Sequence, residues 1–304
     1  MTRRPRTWLA AGAWLILGIG CCSNALAAGP TPQIWFRVNE TTGTSDTNPG
    51  TEFTTGDAIT NLGLIGRSGL LRERGATGDP EDDVTISART KPPTNPAGVI
   101  ALPGKNGSGA SMNDGGVLDP IDGKGDGGVG PGPDTRLTVA AWVNFDTEPA
   151  QPATVACKTG GKTGGSVMAD FDSGWQLAVI AGSSPAMRKL YFNWGNRDSV
   201  NLNTSSADLP VAELAGKWNH VAATFDETGN EVTVRLYRNG KDIGGVDNFG
   251  GPVDVGMDAN DLPLAIGTMS AGNWQWPGKI AEVQVFDAAL SKEQIQRLAG
   301  ETQK

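Results

Sequence analysis

The sequence predicts an all-β fold, two antiparallel sheets packed as a sandwich with one short C-terminal helix. Three observations predict it. Apolar and polar residues alternate along a series of segments from residue 136 onward. Gly and Pro supply 62 of 304 residues with no repeat period, which calls for many turns and excludes collagen. A single stretch, near residue 295, carries the spacing and caps of a helix.

The elements follow in chain order. Residues 1–27 read as a secretory signal peptide. Arg3, Arg4 and Arg6 make its positive start, Trp8 to Gly20 is apolar, and Ala25-Leu26-Ala27 is a small-residue cleavage site. Cleavage takes the net charge from −8 to −11. It also discards Cys21 and Cys22, leaving Cys157 without a partner for an intramolecular disulfide. The alternative is a lipoprotein anchored through Cys21, although Gly18-Ile19-Gly20 lacks the leucine of a lipobox. No later run is long and apolar enough to span a bilayer.

Residues 28–304 read as one domain, loop-rich over 28–136. There Ile34–Val38, Val84–Ile86 and Val99–Leu102 are short apolar runs, and Asn113 to Asp134 is a Gly, Asp and Pro surface loop. A regular strand series occupies 137–290. Leu137, Val139, Ala141, Val143 and Phe145 alternate, as do Trp175, Leu177 and Val179, then Leu190, Phe192 and Trp194. Val232, Val234 and Leu236 repeat the pattern, and each set shares one strand face. Asn239-Gly240 between two extended runs signals a two-residue hairpin. The helix spans 291–299: Ser291 caps it, Gln294 completes a capping box, Leu290 and Ile295 form a staple, and Gly300 ends it.

Charge and histidine content limit function. A net charge of −8 argues against a nucleic-acid partner, which needs a concentrated basic surface. His220 is the single histidine, so multi-histidine zinc sites are excluded and any catalytic triad would depend on it.

Several strings resemble the LamG-like jellyroll domains of the concanavalin A-like lectin/glucanase superfamily. Leu137-Thr138-Val139-Ala140-Ala141-Trp142-Val143 is similar to the family's "FTVSAWV" strand, and Thr154–Lys158 to "LVSKGG". Trp218-Asn219-His220-Val221-Ala222-Ala223-Thr224-Phe225-Asp226 resembles its most characteristic string. Leu236–Gly240 resembles "LYVNG", and Gly278–Phe286 with Ala288–Ser291 resembles the closing "GxIDEVRIYxxALS". Ile34 to Thr44 is similar to the opening strand. The resemblance covers residues 33–300 and implies a jellyroll. Leu102-Pro103-Gly104 stands where the family often has FDG, and Ala281 where it often has Asp, which removes two acidic positions from any implied calcium site.

Candidate sites are few. Asp114, Asp119, Asp122 and Asp126 share one glycine-rich loop, which reads as a solvated acidic loop or as a source of calcium oxygens. Asp170 and Asp172 are a weaker pair. Trp274 is the ligand candidate, since an indole face stacks on a sugar ring, with Asn273 and Asn193 as polar contacts. Trp276, two residues on, reads as core. His220 reads as a packed structural histidine, and Glu227 and Glu231 as solvated. Ala156 to Thr163 matches a permissive phosphate-loop pattern, and Gly125 to Gly130 a dinucleotide one, but neither precedes a helix. A retaining glycosidase needs two carboxylates about 5–5.5 Å apart; Glu282-Val283-Gln284-Val285-Phe286 offers one, so no catalytic residue is assigned.

The expected function is an exported, non-catalytic module that recognises glycans or other extracellular ligands. The alternative is a structural or adhesion module packed on another exported protein. A glycoside hydrolase comes third.

Overall fold

The computed structural model describes residues 30–32, 34–36, 43–44, 58–59, 69–72, 85–87, 91–94, 99–103, 109–112, 135–146, 152–160, 173–195, 202–250, 255–257, 264–269 and 274–300. Residues 1–27, expected as a signal peptide, residues 113–134, expected as a loop, and Asp170 and Asp172 lie outside them. Among the described residues no helix is long and apolar enough to cross a membrane.

The first seven strands are short: β1 (Ile34–Phe36), β2 (Gly43–Thr44), β3 (Ala58–Ile59), β4 (Gly69–Arg72), β5 (Thr85–Ser87), β6 (Val99–Pro103) and β7 (Gly109–Met112). Longer strands follow: β8 (Arg136–Phe145), β9 (Ala153–Gly160), β10 (Ser173–Ala181) and β11 (Met187–Gly195). Next come β12 (Leu202–Ser205), β13 (Leu209–Pro210), helix α1 (Val211–Leu214), β14 (Asn219–Thr228), β15 (Glu231–Arg238) and β16 (Lys241–Gly250). The chain closes with β17 (Leu264–Ile266), β18 (Pro277–Phe286) and α2 (Lys292–Leu298).

The strands form two antiparallel sheets. The front sheet runs β16-β15-β14-β8-β18-β6-β5-β2, with β1 also on β18. The back sheet runs β12-β11-β10-β9-β17-β7-β4-β3, with β13 also on β11. The alternating sets predicted from sequence meet in the core. Leu137, Val139, Ala141 and Val143 of the front sheet share one cluster with Trp175, Leu177, Val179, Leu190, Phe192 and Trp194 of the back sheet. Val232, Val234 and Leu236 join them. Burying such side chains is the main favourable term in folding, about 25 cal/mol per Å² of apolar surface.

Local turn chemistry also matches. Asn239 and Gly240 both have positive φ, 49° and 75°, the geometry of a type I′ hairpin joining β15 to β16. Ser291 accepts from the Gln294 amide, the Gln294 side chain returns the bond, and Gly300 follows at φ 73°. Leu290 and Ile295 pack in one cluster, as a staple requires. Helix α1 was not expected; four residues are too few to show a helical period in sequence.

β8 departs from simple alternation, because both of its faces are buried from Leu137 to Phe145. At Trp142 the cover is Val99, Ala281 and Trp218; at Thr138 and Ala140 it is the return of the chain after β18. Thr138 Oγ1 donates to the Ala288 carbonyl at 2.6 Å and accepts from the Leu290 amide at 2.9 Å. That clamp lays α2 on the outer face of the front sheet, where Ala140 and Ala222, directly opposite each other, leave room for Ile295, Leu290 and Phe286.

Trp274 and the outer face of the back sheet

The site is built on β9, β10 and β11. In β9 one extra residue faces β10: Leu177 pairs with Ala156 and Ala178 with Thr154. This bulge turns both Val155 and Ala156 to the core and leaves Thr154 and Cys157 outward. Residues opposite one another on paired strands share a face. Cys157, Gln176, Asn193 and Asn203 therefore form one outward row across four strands. Thr154, Ala178, Tyr191 and Ser205 form the next. From Cys157 to Asn193 the row spans two strand spacings, about 10 Å.

The chemistry of this face is that of amides and hydroxyls. Gln176 Nε2 donates to Thr154 Oγ1 at 2.8 Å, and Asn193 Nδ2 to the Tyr191 hydroxyl at 3.1 Å. Gln176 Oε1 has no hydrogen-bond partner among the described residues. Burial pushes the Tyr191 phenol up, against the lowering effect of its bond with Asn193.

Trp274 stands at the edge of this face. It packs against the outward cluster of Cys157, Ala265 and Met269. Its carbonyl accepts from the Thr154 amide at 2.7 Å, tying it to the bulged strand. Trp276 is fully buried, stacks on Phe145 with ring centres 4.0 Å apart, and donates Nε1 to the Asn144 carbonyl at 3.1 Å. The break in alternation is at Trp274 itself, which adopts φ 56°. A left-handed tryptophan is uncommon and costs conformational energy.

Asn193 and Trp274, the two predicted ligand residues within the described region, thus lie on the same outward face. Trp274 is half-buried and Asn193 is buried. Asn273 and the acidic residues Asp114, Asp119, Asp122 and Asp126 fall outside the described residues. Among the described residues no group of three His, Cys, Asp or Glu is placed to hold a metal. Sequence reasoning missed Gln176, Tyr191 and Thr154. The signal was available for two of them: Gln176 falls between Trp175 and Leu177, and Tyr191 alternates with core residues of β11.

The remaining candidates lie elsewhere. His220 is 2 % exposed on the outer side of the front sheet and meets Trp142 edge-on, with centroids 5.4 Å apart. Glu282 is also buried there and accepts from Trp35 Nε1 at 2.6 Å. Glu227 is buried rather than solvated, because β14 carries it under Gly256, where a Cβ would come within 2.3 Å of its carboxylate. Glu231 is exposed at the β14–β15 turn. The phosphate-loop match is strand through Gly160, paired with β10 and β17.

Comparisons with known proteins agree with this fold. No curated protein sequence matches the chain. The receptor-binding domain of a botulinum neurotoxin mosaic serotype C/D matches in structure at 12% identity and TM-score 0.50, over 89% of this chain and 50% of that one. Domain 4 of AbnA, a GH43 extracellular arabinanase from Geobacillus stearothermophilus solved with arabinotriose, matches at 17% identity and TM-score 0.47, over 89% and 100%. A CBM40 of the Ruminococcus gnavus IT-sialidase, bound to α2,3-sialyllactose, matches at 18% identity and TM-score 0.36, over 54% and 82%. The laminin-G-type family model matches residues 122–296, from before β8 into α2. With more than half its length matched and two antiparallel sheets around a shared core, the chain belongs to the concanavalin A-like lectin/glucanases superfamily.

Proposed function

We propose that this chain is an exported, non-catalytic recognition module that binds glycans on the outer face of its back sheet. The observation that carries the reading is the row of amides and hydroxyls beside Trp274. A sugar presents hydroxyls that both donate and accept, and an apolar ring face. Amide side chains match the first and an indole the second. The non-catalytic part is supported by the lack of a paired-carboxylate string in the sequence. Export is supported by the Arg3-to-Ala27 pattern.

A module docked on another protein has less support. Among the described residues Phe249 is the one exposed large hydrophobic, and a docking surface of that kind needs a contiguous apolar patch.

A glycan array probed with the exported chain, with and without calcium, tests the reading. Binding to a defined glycan class, reduced in Trp274→Ala, is the expected result. An array without binding, or turnover of a bound glycan, overturns it. N-terminal sequencing tests export: Ala28 is expected, and a lipid-modified Cys21 would place the protein on a membrane surface.

A further inference from the structure

The outer face of the front sheet holds a cavity that the reading above does not use. It has a volume of about 320 Å³ and lies against the last turn of α2. Its walls come from distant parts of the chain: Trp35 on β1, Thr94, Trp142 on β8, His220 on β14, Glu282 on β18 and Arg297 on α2. We propose that this cavity is a second binding site, separate from the Trp274 face, and that it takes one polyhydroxylated ring of about the size of a single sugar residue.

Unanswered polar groups point to a ligand. Trp142 Nε1, His220 Nδ1 and Thr94 Oγ1 are buried with no hydrogen-bond partner among the described residues. All three residues line the cavity. Buried polar atoms are nearly always paired in native proteins, so three orphans around one space are unusual. Trp142 and His220 are direct cross-strand partners, 5 % and 2 % exposed. Their rings form one rigid wall.

A bulge aims the carboxylate. Ala281 pairs with Trp142 and Gln284 with Ala140, so β18 carries one extra residue against β8. Glu282 sits in that bulge at φ 50°. Val283 and Val285 remain in the core while Ala281, Glu282 and Gln284 lie outward. A non-glycine residue held at positive φ is strained, and such strain concentrates at functional sites. Trp35 Nε1 holds the carboxylate by its 2.6 Å bond.

The mixture of groups selects the ligand class. Trp142 Nε1 only donates, and a carboxylate only accepts. Burial keeps the His220 imidazole neutral, with its pKa lowered to about 3, so one ring nitrogen donates and the other accepts. An ammonium cation offers donors alone and leaves the indole unanswered. An anion offers acceptors alone; Arg297 could answer it, but it meets the Glu282 carboxylate and leaves the accepting nitrogen of His220 unpaired. An apolar guest leaves all three orphans unpaired. A ring bearing several hydroxyls answers donors and acceptors together.

Because His220 is the single histidine, its imidazole resonances report this site without ambiguity in protein made without a histidine tag. The test titrates the full chain with methyl glycosides of common hexoses and with myo-inositol, following His220 by NMR. A saturable shift of the His220 signals with either probe is expected, and the two arms tell a sugar residue from a cyclic polyol. Trp142→Phe and Glu282→Gln should each weaken that response about tenfold, the worth of one buried hydrogen bond. Trp274→Ala should leave it unchanged. Silence of His220 toward both probes at millimolar concentration overturns the second site even where the array shows binding elsewhere. A response that survives Trp142→Phe and Glu282→Gln intact overturns it as well. A His220 response with an empty array removes the Trp274 reading and leaves this site standing.

Discussion

The two sheets present the same apolar inner face and opposite solutions on their outer faces. Outside the front sheet, Ala140 and Ala222 make a shallow bed for α2, Thr138 clamps the chain that leads into it, and a cavity lined by Trp142, His220 and Glu282 lies at the helix end. Outside the back sheet no described helix lies, and Thr154, Gln176, Tyr191 and Asn193 hydrogen-bond along the pleat. Identical inward patterning therefore leaves the outward pattern free to differ. One face uses it to seat a helix, the other to line up a buried row of amides and hydroxyls. The difference is testable because Trp276 belongs to the core that both sheets share, while His220, Ser291 and Trp274 each belong to one outer face.

The largest effect is expected at the shared core. Trp276→Ala removes a fully buried ring stacked on Phe145, and should cost roughly 3–5 kcal/mol in a denaturant melt. A loss as small as that of an exposed residue would mean that the two sheets do not depend on this contact.

Acid should act on the front face. The pKa of His220 is lowered to about 3 in the folded chain by burial, against about 6.5 when unfolded. Between those values the unfolded chain binds one more proton, so stability rises with pH. The contribution is complete above about pH 6.5 and is lost progressively as pH falls toward 3. Hydrogen bonds from Ser183 hold the Asp208 carboxyl low, and a backbone bond with help from Ser291 holds Glu293 low. Both also favour the fold at higher pH. His220→Leu isolates the imidazole: melts at several pH values should give a shallower acid slope than the parent. Equal slopes would mean that His220 is not buried neutral.

The helix on that face should respond less. Ser291→Ala removes the side chain that accepts from the Gln294 amide and should cost about 1 kcal/mol. Its effect should appear as faster amide exchange in α2, with β9 to β11 unchanged.

What was legible in sequence follows the range of the interactions. The β15–β16 hairpin and the capping box of α2 are local, so Asn239-Gly240 and Ser291 with Gln294 announced them. The inner faces of β8, β10, β11 and β15 showed in their two-residue period. The outward burial of Ala140 and Trp142 did not, because the first depends on chain that returns after β18 and the second on Val99, Ala281 and Trp218 from distant strands and a loop. Bulges were invisible for a related reason. The extra residue in β9 turns Cys157 outward, and the one in β18 does so for Glu282, and neither has a composition signature. The cavity was beyond reach, since Trp35, Trp142, His220 and Glu282 meet only through register between distant strands. Trp274 and Asn193 could be named individually, but only the strand order puts them on one face.

The effect most informative for function is expected at Trp274. The indole is half-buried against Cys157, Ala265 and Met269 rather than enclosed, so Trp274→Ala should cost less than Trp276→Ala. The backbone there has φ 56°, which alanine tolerates poorly and glycine adopts freely. Trp274→Gly should therefore be more stable than Trp274→Ala by about 1 kcal/mol, although it removes as much of the ring. Both variants lose the stacking surface equally, and an aromatic contact is worth about 1 kcal/mol or more. Glycan affinity should then fall about fivefold or more in both, with no recovery in the glycine variant. If affinity tracks stability and returns with glycine, the ring acts by holding the β9 edge in place. If affinity falls equally while stability separates, the indole itself meets the sugar, and the back face is the recognising one.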